Sequence, residues 1–105
     1  MNQLHVKLTE KQFSDIVGML NCFYNTRLFT SELSSIKYGM ETVQDTNPDY
    51  CNIDYKIPVR DFVYIYNLIH ENKNLTHDYI KKCVDDGFYD EGLYTRIKEI
   101  FEIKD

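Results

Sequence analysis

Alanine is absent from this 105-residue chain, arginine occurs only three times, and there are four glycines and two prolines. The four glycines are isolated, which excludes the clustered glycine loop that cradles phosphates. No apolar run approaches the roughly 20 residues a membrane span needs. The opening "MNQLHVKLTE" lacks the basic start and apolar stretch of a signal peptide. A cytoplasmic location with no membrane partner is therefore expected. Cys22, Cys51 and Cys83 are odd in number, widely spaced and without a CxxC pair, which suits a reducing compartment better than a disulfide framework. Clustered Lys/Arg is missing too, and direct binding to a phosphate backbone depends on such a cluster. No direct nucleic-acid contact is expected. The lack of alanine beside abundant Ile, Lys, Asn and Tyr reads as the mark of an AT-rich coding sequence.

What is present suffices for a core. Apolar residues make up 43% of the chain, with six Phe and nine Tyr. A chain of this length forms one domain, here residues 1–105, and buries about two-thirds of its unfolded surface. Net charge is −5 and unevenly spread. Residues 61–105 carry ten acids against six bases, whereas residues 1–30 carry two against three.

"LHVKL" alternates Leu4, Val6 and Leu8 with His5 and Lys7, the period of a half-buried strand. Thr9 and Gln12 then have the spacing of a capping box, and Leu8 and Phe13 that of a hydrophobic staple. The helix they open presents Phe13, Ile16, Val17, Leu20, Phe23 and Tyr24 on one face and runs to about Asn25. Residues 26–43 are ambiguous. Leu33, Ile36, Met40 and Val43 have helical spacing, while Ile36, Tyr38 and Met40 alternate as a strand would. "CNIDYKI" alternates at Cys51, Ile53, Tyr55 and Ile57 after a loop around Asn47-Pro48, and a strand needs a partner. A hairpin of about 35–43 with 51–57 is the favoured reading. Pro58 opens a helix to about Asn72, and shorter helices follow over about 76–86 and 90–103. The expected fold class is α+β: a small antiparallel sheet of about three strands, ordered β-α-β-β-α-α-α, packed against helices. One internal echo stands out. "VKLTEKQFSDIVGML" (6–20) aligns without gaps on "YKIPVRDFVYIYNLI" (55–69), each closing a strand and capping a helix.

Reactive constellations are not found. The stretch "DDGFYDEG" (85–92) fails as an EF-hand, because neither Gly87 nor Gly92 can take the sixth loop position with acids at the first and third. His70, His77 and Cys83 match no zinc-ligand spacing, so no metal is expected. Cys83 lies in an apolar stripe and is poorly phased with His77 for nucleophilic catalysis. The expectation is no catalytic residue, no cofactor and no enzyme activity.

Binding leaves fainter marks. Tyr64 falls on the polar side of its helix beside Arg60 and Asn67, an aromatic where an interface anchor would sit. On the first helix Ser14, Gly18, Cys22 and Asn25 fall together away from the apolar face, a strip of small residues that suits a homodimer. Within 85–92, Gly87 stops one helix, while Asp90 as N-cap and Glu91 in the first turn start the next. Capping does not account for Asp85 and Asp86 at a helix C-terminus, where negative charge is unfavourable. Phe88 is the expected core plug under the turn and Tyr89 the outward ring. Asp85, Asp86, Tyr89, Asp90 and Glu91 would then form an acidic, aromatic contact surface for a protein with a basic face. The functional expectation is a small non-enzymatic binding module. It could be an inhibitor of a nucleic-acid-handling host protein, of the kind phages or mobile elements encode. A homo-oligomer or an immunity-type partner protein is the alternative.

Overall fold

The structure, a computed structural model, describes residues 4–46 and 55–104. The chain runs β1 (His5–Leu8), α1 (Glu10–Phe23), α2 (Ser31–Thr46), β2 (Tyr55–Pro58), α3 (Val59–Glu71), α4 (Lys73–Asp85) and α5 (Leu93–Phe101). It is an α+β arrangement of a two-stranded antiparallel ribbon and helices around one core.

The capping box at the head of α1 is complete. Thr9 Oγ1 accepts the Gln12 N–H at 3.0 Å, and the Thr9 N–H donates to Gln12 Oε1 at 2.9 Å. Beyond it α1 becomes the central element, with every residue from Asp15 to Leu20 buried. A helix enclosed on nearly all sides needs neighbours on all of them. Here α2, α4, α5 and the ribbon pack around it. Asn25, just past its end, has φ 64°, a left-handed conformation that Asn tolerates better than most residues.

Residues 31–46 are helical, which overturns the expected 35–43 strand and reduces the sheet from about three strands to two. Two local causes decide it. Thr30 Oγ1 accepts the Leu33 N–H at 3.1 Å, capping the first turn of α2. The helical spacing then buries Leu33, Ile36 and Met40, while Tyr38 and Gly39 turn to solvent. The apparent Ile36/Tyr38/Met40 alternation was a coincidence of the same helical stripe. Cys51 and the first half of the expected 51–57 strand lie outside the described residues.

The partner of β2 is β1. The register pairs His5 with Pro58, Val6 with Ile57, Lys7 with Lys56 and Leu8 with Tyr55. Leu4, which the alternation placed in the strand, precedes it and is 75% exposed. This register explains the internal echo geometrically. The echo equates Lys7 with Lys56, and those two residues face each other across the ribbon. Val6 faces Ile57, the echo mate of Leu8, and Leu8 faces Tyr55, the echo mate of Val6. The two strands therefore meet as if related by a local two-fold through the Lys7–Lys56 pair. Phe13, Ile16 and Leu20 on α1, and Ile65 and Ile69 on α3, are fully buried, so the echo carries the core.

The C-terminal helices close the core. Phe62 stacks on Phe101 with ring centroids 4.8 Å apart. His70 stacks on Tyr66, and its Nε2 lies 2.8 Å from the Phe101 carbonyl. A carbonyl only accepts, so that nitrogen carries the proton. Leu93, Ile97 and Phe101 form the buried stripe of α5. Among the described residues no helix is long and apolar enough to cross a membrane.

Candidate functional site

The site grows out of the end of α4. The Gly87 N–H donates to the Val84 carbonyl and the Phe88 N–H to the Cys83 carbonyl, both at 3.0 Å. Gly87 sits at φ 87°. This is the Schellman stop, and it requires a residue that enters the left-handed region freely. After such a turn the chain leaves at an angle fixed by backbone bonds, which sets where Phe88 and Tyr89 point.

They point opposite to expectation. Phe88 is 74% exposed, whereas Tyr89 is the half-buried ring. The reason lies on α1. A Cβ added at Gly18 would come within 3.0 Å of Tyr89 Cε1, so the ring occupies the notch left by the missing side chain. Asn21 Nδ2 donates to the Tyr89 hydroxyl at 3.2 Å, giving the half-buried phenol a partner. Burial raises the Tyr89 pKa above the ordinary phenol value, with the Asn21 hydrogen bond opposing.

A second anchor follows. Arg96 Nη1 and Nη2 donate to the two Asp90 carboxylate oxygens at 2.8 and 2.7 Å. The same guanidinium reaches the buried Asp15 of α1 through Nε at 2.9 Å and Nη2 at 3.3 Å. One planar fork thus ties α1, the turn and α5 together. Gly92 leaves room for it, since a Cβ there would lie 2.6 Å from Arg96 Nη1. Hydrogen bonding to Arg96 holds the Asp90 carboxyl well below its usual range. Asp90 is not the N-cap of α5 as expected: Gly92 stands there without a side-chain cap bond, and the helix begins at Leu93.

The remaining acids are outward. Asp85 pairs with Lys81 at 2.8 Å, both exposed, and that hydrogen bond raises the Lys81 pKa. Asp86 and Glu91 are exposed and have no ion pair among the described residues. The turn therefore presents Phe88 beside two unpaired carboxylates and one shared with a lysine.

The other sequence candidates lie apart from the turn. Tyr64 is half-buried, with its hydroxyl 2.6 Å from Thr30 Oγ1. It borders a groove of about 560 Å³ between α2 and the β2–α3 junction, with Ile36, Met40 and Ile57 beneath and Glu32 and Lys56 at its edge. Ser14 on α1 and Asn25 just past its end are exposed, but Gly18 and Cys22 are buried. The middle of that small-residue strip is covered by Tyr89 of the same chain.

Sequence reasoning missed Arg96 and the Phe88/Tyr89 order. The first had a signal: Asp15 stands next to the apolar face of α1, and a carboxylate at such a position needs a strong cationic partner. The second had Gly18 as a signal, a mid-helix glycine that receives an aromatic ring. Among the described residues no three His, Cys, Asp or Glu side chains gather as metal ligands would. No protein family, no curated protein and no solved structure was found that this chain matches.

Proposed function

We propose that this chain is a non-catalytic protein-binding domain that docks through the Phe88 turn. The observation that carries the reading is a 74% exposed phenylalanine on a turn clamped at both following residues. A large apolar ring held out in water is unfavourable unless something covers it, and burying a Phe side chain is worth about 2–3 kcal/mol. Rigid anchoring removes the ordering cost that a floppy loop would incur on binding. Asp85, Asp86 and Glu91 around the ring select the partner: a basic surface with an apolar socket. Surfaces of that kind also receive nucleic acid, so occupation by this domain would block one. That supports an inhibitor role in a nucleic-acid-handling system, with the partner in the same cytoplasmic compartment.

Homodimerisation through the α1 strip is the weaker alternative, because a second copy would have to displace Tyr89 to reach Gly18. The test uses immobilised wild type, Phe88→Ser and the Asp86→Asn/Glu91→Gln pair, each exposed to extract from the source cells. A basic protein retained by wild type, lost with Phe88→Ser, and weakened for the pair most strongly at low salt would bear out the reading. Equal recovery on all three would discard it.

A further inference from the structure

Two free cysteines lie on α1 and α4, the helices against which the Phe88 turn is anchored. Cys22 on α1 is 5% exposed, Cys83 on α4 is half-buried, and neither is in a disulfide. Burial and the neighbouring Cys83 both raise the Cys22 thiol pKa. The contacts on either side of the two residues set them next to each other. Phe23, next to Cys22, meets the ring of Tyr79, one turn before Cys83, at 6.2 Å between centroids. Asn21, on the other side of Cys22, holds the Tyr89 hydroxyl. The Cys83 carbonyl itself accepts the Phe88 N–H. We propose that Cys22 and Cys83 are a paired modification site that peroxide converts to an intramolecular disulfide, cross-linking α1 to the last turn of α4 next to the docking turn.

The roles of the two sulfurs differ. Cys83 is the more accessible, so its thiolate attacks one oxygen of hydrogen peroxide. The S–O bond forms, the O–O bond breaks, and the released hydroxide takes a proton and leaves as water. Cys83 is then a sulfenic acid. Cys22 Sγ attacks that sulfur, the S–S bond forms, and the S–O bond breaks. The departing hydroxide takes the Cys22 proton as a second water. In total two thiols lose two electrons to one peroxide. Burial and the neighbouring Cys83 push the Cys22 thiol pKa up, so Cys22 is the resolving partner and not the first to react.

The wild-type chain answers the question without any substitution. Treated with hydrogen peroxide, then alkylated and digested, it should lose two of its three alkylatable thiols. A single linked peptide should join Cys22 to Cys83. Cys51→Ser should lose both remaining thiols under the same treatment, and Cys22→Ser should stop at a Cys83 sulfenic acid trappable by a carbon nucleophile. A linked peptide involving Cys51 would overturn the proposal. So would oxidation of Cys83 to the sulfinic acid in wild type with Cys22 still free.

Discussion

Replacing Arg96 with Met, which keeps an unbranched apolar stem and removes the charged fork, should be among the most damaging single changes outside the apolar core. The Asp15 side chain is only 5% exposed and accepts from Arg96 at 2.9 Å, while Lys11 lies further off at 3.5 Å and is itself 65% exposed. Breaking a buried ion pair by removing one partner costs about 3–5 kcal/mol, because the other charge stays behind without compensation. Arg96 is 28% exposed and Lys11 remains, so water and that lysine recover part of the loss. A loss of about 2–3 kcal/mol follows. In a domain near 100 residues each kcal/mol shifts the melting temperature by roughly 4–8 °C, so the drop should be about 10–20 °C. Urea denaturation should report the same loss through the midpoint, with an unchanged slope. Arg96→Lys should cost less than Met but more than a surface change, since an ammonium cannot bridge two carboxylates with a planar fork. The decisive control is Asp15→Asn with Arg96→Met. If the pair is coupled as the geometry requires, the double change should cost clearly less than the two singles added. Strict additivity, or a melting temperature within a degree or two of wild type for Arg96→Met, would refute this reasoning.

Other changes follow from the same contacts. Gly18→Leu fills the notch under Tyr89; it should cost at least about 2 kcal/mol by overpacking and should shift the NMR signals of the half-buried Tyr89 ring. The Thr76 side chain is fully buried and its Oγ1 has no hydrogen-bond partner among the described residues, so Thr76→Val, equal in shape, should raise stability by about 1 kcal/mol in the same urea assay. The Asp90 carboxyl has a folded-state pKa depressed by Arg96. Its contribution is therefore present above the unfolded carboxyl value near 4 and lost as pH falls towards the folded value. Asp90→Asn should flatten the acid limb of a stability-against-pH curve over that window and leave neutral-pH curvature alone. Phe88→Ser should leave the melting temperature within about 3 °C of wild type, as expected for an exposed side chain.

How far the sequence could be read depended on whether local chemistry or distant packing decided each element. Thr9 and Gln12 specify the start of α1 between themselves, and their bonds form as their spacing required. Gly87 stops α4 because the left-handed turn is a property of one residue. Residues 26–43 were ambiguous because both periods fit the same apolar positions, and the cap from Thr30 tipped the balance. The expected 51–57 strand overlaps the observed β2 at 55–57, but its partner was not legible. Pairing depends on a segment 47 residues or more away, although the echo with its shared lysine held the register in plain sight. The turn at 85–92 was correctly placed and wrongly oriented, because the choice between Phe88 and Tyr89 was made by a glycine on another helix. Asp90 is exposed, but its carboxylate is bound to Arg96, a partner six residues on that the turn itself does not reveal.

The central claim is that an exposed aromatic on a clamped turn is the part of this molecule that meets its partner. It is tested most directly by the dissociation constant of the captured protein for wild type and for Phe88→Ser, measured on samples of equal melting temperature. Loss of about 2 kcal/mol at a buried anchor corresponds to roughly a 30-fold rise in Kd, and that rise is expected. Equal affinity for both chains would contradict the claim.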